Sequence, residues 1–297
     1  FLSLNYANQQ GMVRNLNNKN ISGRINAEYN VKPWLKVGTN TSYVRTESQL
    51  GDGDEVFDKA RGANPMLPID YDLLTLNYGG YVDENYFNPL GTMRIENDRI
   101  RNRIISSNFL NVNPVKELNF RTTFSVNYLD EQTFRYQPND IQQAIRYSNK
   151  GQASHNRDNV VTWQWDNTVS YDTTLADVHR VNAVLGTSAS NISRNYTNAT
   201  GRGFDSNLFG YHNIGASEKL ADRQLGSDFY SSSLMSYFLR ANYTYASKYY
   251  LTVTARYDGS SKFAQGHRWG LFPSFSAAWN IAEENFMQKQ TIFDQLK

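Results

Sequence analysis

Two alternating runs separated by a short break constrain this chain more than any other feature. They occupy Tyr249 to Ile281, which reads YYLTVTARYDGSSKFAQGHRWGLFPSFSAAWNI. In the first run, Tyr249, Leu251, Val253, Ala255 and Tyr257 share one face, and Tyr250, Thr252, Thr254, Arg256 and Asp258 share the other. A period of two is that of a strand with one apolar and one polar side. Asp258-Gly259-Ser260-Ser261 interrupts the pattern with turn chemistry. Leu271, Pro273, Phe275, Ala277, Trp279 and Ile281 then alternate against Phe272, Ser274, Ser276, Ala278 and Asn280. The two runs predict a long hairpin. Aromatics near the ends of its apolar face suit an interfacial girdle.

The same alternation recurs along the chain. It is seen from Phe1 to Tyr6, Ile21 to Val31, Leu35 to Tyr43, Leu118 to Tyr128, Val161 to Tyr171, Val181 to Ala189 and Tyr237 to Tyr245, and in an ambiguous register from Arg99 to Val112. These runs predict about ten strands of roughly 10 to 14 residues, longer than the 5 to 6 common in soluble sheets. The connections alternate in length. Those at 30–33, 113–117, 172–177 and 246–248 are short, those at 9–18 and 259–269 are medium, and those at 47–98, 131–158 and 192–231 are long. In an up-and-down meander, alternate connections lie on one edge, so every longer connection falls on one side and every tight turn on the other. Transmembrane barrels of the outer membrane have this asymmetry, with short periplasmic turns and long extracellular loops.

Composition narrows the alternatives. With 30 basic and 28 acidic residues the net charge is +2, which argues against a dedicated nucleic-acid binder. Cysteine is absent, which excludes a disulfide framework. No apolar run reaches the roughly 18 residues of a membrane-spanning helix. A mean hydropathy of −0.63 is that of a polar chain, but a barrel gives the same value, because only alternate strand residues face lipid.

The hairpin region, preceded by SYFLRANYTYASK, resembles the mid-barrel region of the SusC/RagA-type TonB-dependent outer-membrane transporters of Bacteroidetes. The matching elements are the Tyr-Tyr-Leu run, Arg256-Tyr257-Asp258-Gly259-Ser260-Ser261-Lys262-Phe263, Arg268, Phe272-Pro273-Ser274, Ala278-Trp279 and Glu284-Asn285-Phe286. Of these, Arg256, Asp258, Gly259, Ser260, Ser261, Phe263, Pro273 and Trp279 form the structural motif. The resemblance implies an all-β, antiparallel up-and-down transmembrane barrel of roughly 22 strands, of which residues 1–297 are one segment. An N-terminal plug and the remaining strands would lie outside this sequence. It also implies TonB-driven import of an oligosaccharide or peptide, contact with TonB through the N-terminal region, and a SusD-like surface lipoprotein as a lid. The partners are then these two proteins, outer-membrane lipids and a glycan or peptide, with no nucleic acid.

Candidate ligand contacts are aromatics in the long connections: Tyr71, Tyr78, Tyr81, Tyr86, Phe204 and Tyr211. They could stack on sugar rings or peptide side chains, or could pack a loop cap against itself. Gly51 to Glu55 (GDGDE) resembles half a calcium loop but lacks the further ligands at fixed positions. His155, His179, His212 and His267 read as residues of loops or turns without metal-ligand spacing, and no GxSxG frames a nucleophile. No catalytic residue, metal site or cofactor is expected. Two other classes remain open at this stage. One is a soluble all-β carbohydrate-binding module, and the other is an outer-membrane barrel enzyme.

Overall fold

A computed structural model describes residues 1–62, 89–141, 144–145, 150–287 and 296. Ten strands form one antiparallel sheet in strict chain order. They are β1 (Leu2–Gln10), β2 (Asn17–Lys32), β3 (Leu35–Gln49), β4 (Glu96–Val115), β5 (Leu118–Gln137), β6 (Gln152–Leu175), β7 (His179–Arg202), β8 (Gln224–Tyr245), β9 (Tyr249–Ser260) and β10 (Trp269–Trp279). Helices α1 (Gly53–Arg61) and α2 (Pro89–Thr92) lie in the β3–β4 connection. Three 3-10 segments complete the described elements: Gly210–Ala216, Leu220–Asp222 and Ile281–Glu283. The sheet is open, with β1 at one edge and β10 at the other.

The register carries the alternation of single strands into continuous rows. Leu35, Val112, Phe120, Val169, Leu185, Leu239, Ala255 and Pro273 stand opposite one another from β3 to β10. All lie on the apolar face. This face stays exposed, whereas buried apolar residues such as Tyr136, Ile141, Ala153 and Phe204 gather at the end that carries the long connections. A soluble protein rarely leaves so large a contiguous apolar surface in water. A single-layer sheet with apolar side chains out and polar ones on the opposite face is the arrangement of a membrane barrel wall.

Aromatics bound the apolar band. Near the tight turns Tyr245, Tyr249 and Trp279 stack in series, with ring centroids 6.2 and 6.3 Å apart. Toward the other edge, Tyr257 and Tyr237 flank Trp269 at 4.7 and 6.1 Å. Above the band the same face turns polar. Arg45, Asn102, Asp130, Asn159 and Asn195 form one row across β3 to β7. In that row the buried Asp130 accepts a 2.8 Å bond from Arg157 Nε.

The longer connections do share one edge, but several are shorter than the alternation suggests. β5 runs on to Gln137 and β6 begins at Gln152, inside the stretch read as loop 131–158. β7 reaches Arg202 and β8 begins at Gln224, inside 192–231. Beyond the bilayer both faces of a strand meet water, so its pattern no longer alternates. His155 accordingly sits in β6 rather than in a loop. The expected turn at 258–261 also starts later, because β9 continues to Ser260. A Cβ on Gly259 would come within 2.6 Å of the Trp269 ring. The glycine therefore makes room for an aromatic across the strand pair rather than bending the chain.

The tight turns are compact. Ala176 and Asp177 have φ of 49° and 57°, and Ala246 and Ser247 have 49° and 59°. Paired positive φ values are those of the primed turns that suit twisted hairpins.

Candidate functional site at the long-connection rim

The described part of the rim is built by the β7–β8 connection, residues 203–223, folding down over the upper parts of β4 to β7. Phe204 is 4% exposed and packs edge-on against Tyr136, at 5.9 Å, and against Ala153. The Tyr136 hydroxyl donates to Asn207 Oδ1 at 2.7 Å, and the Asn139 amide N–H donates to the same oxygen at 2.9 Å. Tyr211 lies over Phe134 with centroids 5.1 Å apart and donates its hydroxyl to Asp98 Oδ2 at 2.8 Å. Burial, together with that carboxylate, raises the Tyr211 pKa above the ordinary phenol value. Arg223 closes the connection by donating to Ser217 Oγ and to the Gly215 and Ser217 carbonyls. Between this cap and β4 lies a cleft of about 660 Å³, lined among others by Glu96, Asp98, Tyr136, Phe209, Tyr211 and His212.

The side of the wall matters. Asp98, Phe134, Tyr136 and Ala153 belong to the register positions that carry the apolar face lower down. The 203–223 cap and its cleft therefore sit on the outer surface, above the apolar band. Of the sequence candidates, Phe204 and Tyr211 are brought close together there, and both anchor the cap to the wall. Tyr71, Tyr78, Tyr81 and Tyr86 lie outside the described residues.

The opposite, polar face is a network of ion pairs and amides. Arg135 forks onto Asp52 at 2.5 and 2.6 Å, which ties the start of the β3–β4 connection to β5. Asp52 of the GDGDE stretch is thus held by a guanidinium, and Gly53 to Glu55 open α1. Arg194 forks onto Asp158 at 2.7 and 2.6 Å, and Arg101 Nε donates to Glu131 at 2.6 Å. Lower down, Thr252 donates to Asn242, which donates to Asn182, which donates to Asp172. Sequence reading did not single out this network. Its signal was the run of polar residues at every second strand position.

The structural-motif residues all have a place. Arg256 Nε donates to both Asp258 carboxylate oxygens at 2.8 Å, and its Nη2 donates to Ser236 Oγ at 2.9 Å. The Ser260 N–H donates to the Arg268 carbonyl. The Ser261 N–H donates to the Ser233 carbonyl, while Ser261 Oγ accepts from the Ser233 N–H. The Phe263 carbonyl accepts from Arg268 Nε. Pro273 stands opposite Ala255 in the apolar row. Trp279 stacks on Tyr249 and donates its indole N–H to Glu284, which also accepts from Lys248 and the Tyr249 hydroxyl. Motif residues at both ends of the hairpin thus close its connections onto the neighbouring strands.

No family model matches the chain. TonB-dependent receptor P26 of Formosa agariphila is 29% identical over 301 residues, an alignment covering 100% of this chain and 30% of that protein. TonB-dependent receptor SusC of Bacteroides thetaiotaomicron is 46% identical over 66 residues, 22% of this chain and 7% of SusC. The chain is thus similar over its whole length to a TonB-dependent receptor, and over a shorter stretch to SusC. The solved RagAB peptide transporter superimposes with a TM-score of 0.75 at 20% identity, over 97% of this chain and 33% of that one. The chain thus spans about 30% of the length of the receptor P26. This similarity, with the exposed apolar band, places the chain in the outer membrane. Its apolar face meets lipid and its polar face lines the lumen.

Proposed function

We propose that the wall formed by this chain belongs to a transporter that takes up an oligosaccharide or peptide nutrient across the outer membrane. The observation that carries the proposal is the unbroken apolar row from Leu35 to Pro273, in a chain similar over its whole length to a TonB-dependent receptor. Uptake is driven through TonB, which contacts a region N-terminal to the chain. A plug fills the lumen, and the polar-face network holds it. A SusD-like surface lipoprotein closes over the long connections, including the rim built by residues 203–223 and the segment that carries Tyr71, Tyr78, Tyr81 and Tyr86. The protein binds and gates, and breaks no bond. Its relatives are named receptors, and RagAB is described as a peptide transporter, which supports transport over catalysis.

The test is purification of the full-length protein from detergent-solubilised outer membranes, with mass spectrometry of what accompanies it, in strains with and without TonB. A co-purifying surface lipoprotein of similar abundance, together with nutrient uptake that stops without TonB, is the expected result. A barrel recovered alone, with uptake unaffected by loss of TonB, would overturn the reading.

A further inference from the structure

Among the described residues, three arginines on the lumenal face of β2 and β4 meet no carboxylate. Arg99, Arg101 and Arg103 occupy successive lumenal positions of β4, and Arg24 occupies one on β2. Arg101 is neutralised by Glu131. Among the described residues Arg103 donates only to the neutral Asn127 amide, at 3.1 Å. Arg99 and Arg24 meet no hydrogen-bonding or charged partner among the described residues. The one carboxylate on the lumenal positions of β2 and β3, Glu28, is bound by Lys36. The other lumenal arginines nearby, Arg135 and Arg194, are forked onto Asp52 and Asp158. Unbalanced positive charge is therefore concentrated on one sector of the wall.

Depth excludes the lower lumen. On the outer face of β4, Ile104 stands level with Tyr43 and Tyr128 at the top of the apolar band, and the next row, through Asn102, is polar. Arg103 is thus at the outer membrane boundary. Arg99 lies roughly 13 Å farther along the strand, toward the long-connection rim. Arg24 is two strands away from β4, roughly 10 Å across the sheet, and level with Ile105, just below the boundary. Arg99 and Arg103 face the mouth, where incoming material first meets the wall, and Arg24 lies just beneath them. A low-dielectric wall behind it concentrates its field in the lumen.

Hydroxyls and amides surround it. Arg99 stands opposite Ser48 and Thr133, and Ser48 donates to Asn18 at 2.8 Å. Asn20 and Thr46 pair between Arg24 and Arg101. Such side chains match vicinal sugar hydroxyls, and guanidinium forks match carboxylates. We infer that Arg99 and Arg103 at the mouth, with Arg24 beneath them, form a recognition site for an acidic oligosaccharide, its sugar carboxylates held by these guanidiniums. The inference rests on the import reading and names the chemistry of the cargo.

The experiment uses the full-length receptor in detergent and calorimetric titration with an oligogalacturonate, a neutral maltooligosaccharide of equal length and an oligoglutamate. The oligogalacturonate is expected to bind best and to weaken as salt rises. Arg99→Gln with Arg103→Gln should weaken it by about tenfold to a hundredfold, Arg99→Lys far less, with heat-modifiable migration on gels unchanged. Equal binding of the neutral sugar, no loss in the double variant, or a preference for the oligoglutamate would overturn the proposal. Binding in detergent does not depend on TonB. Failure of TonB-dependent uptake with binding intact would count against the import reading alone.

Discussion

Val253 and Thr252 are neighbours in β9 with opposite surroundings. Val253 stands on the exposed apolar face, opposite Ala241 and Phe275. Thr252 points to the lumen and donates to Asn242 at 2.9 Å. An arginine at Val253 must place its charge in lipid, which costs about 2–4 kcal/mol near the bilayer midplane. At Thr252 an arginine meets water and loses one hydrogen bond, about 1 kcal/mol. Val253→Arg is therefore expected to lower the folded yield in lipid vesicles well below that of Thr252→Arg, read from heat-modifiable migration. Glu284 offers a second residue-scale test. Lys248, Tyr249 and Trp279 all donate to it, at 2.9, 2.7 and 3.2 Å, and they hold its carboxyl down to about 2. An unfolded glutamate titrates near ~4.3. Because the folded value is the lower one, the stabilisation is present above about pH 4.3 and is lost as pH falls toward about 2. Denaturant midpoints of the wild type and Glu284→Gln should differ at neutral pH and converge as the solution is acidified through that window. A constant gap would show that the carboxylate charge is not what the three donors recognise.

At the scale of strands, what was legible in the sequence was what the bilayer imposes. Leu118 to Tyr128 and Val161 to Tyr171 alternate because one face meets lipid, and β5 and β6 contain both runs. The upper continuation of the same strands, with Asp130 and Arg157 on the outer face, could not be read. Water on both sides removes the contrast on which periodicity depends. Nor could a sequence show that residues 203–223 fold to the outside of the wall, since Phe204 and Tyr211 would serve as well on either side. Some glycines were readable only as breaks, and the structure gives them a different meaning. A Cβ on Gly186 of β7 would sit 2.2 Å from the Phe238 ring, and Arg256 of β9 lies over that ring at 5.8 Å. Gly38 of β3 lies under Phe109 in the same way, with Arg121 of β5 over it at 4.2 Å. In both places an aromatic ring lies flat on the lumenal wall and takes little of the lumen. Gly186→Ala is expected to cost about 1–3 kcal/mol through overpacking, measured by urea unfolding in vesicles. In a Phe238→Ala background the same change should cost little, and an undiminished cost there would mean that glycine serves backbone freedom instead.

For the molecule as a whole, the open edges set the terms. β1 carries Leu2, Leu4 and Tyr6 on its apolar side, with Leu4 82% exposed, and β10 carries Phe275, 76% exposed. Among the described residues each edge also offers a row of backbone N–H and C=O groups without a strand partner. In water such edges pair with other chains. In lipid each unsatisfied group costs several kcal/mol, so a spanning sheet must close. The same apolar band that places residues 1–297 in a membrane therefore forbids them to remain there as a lone ten-stranded sheet. Refolded by themselves into vesicles, these residues are expected to aggregate or to assemble edge to edge, giving large species in crosslinking and light scattering. The full-length protein should give a discrete heat-modifiable band under the same conditions. If residues 1–297 alone yielded a monodisperse, protease-resistant monomer in the bilayer, the edges would have to be satisfied within the chain, by β1 pairing with β10. The wall would then be a small closed barrel, and the proposed plug and oligomeric cargo would have no wide lumen to occupy.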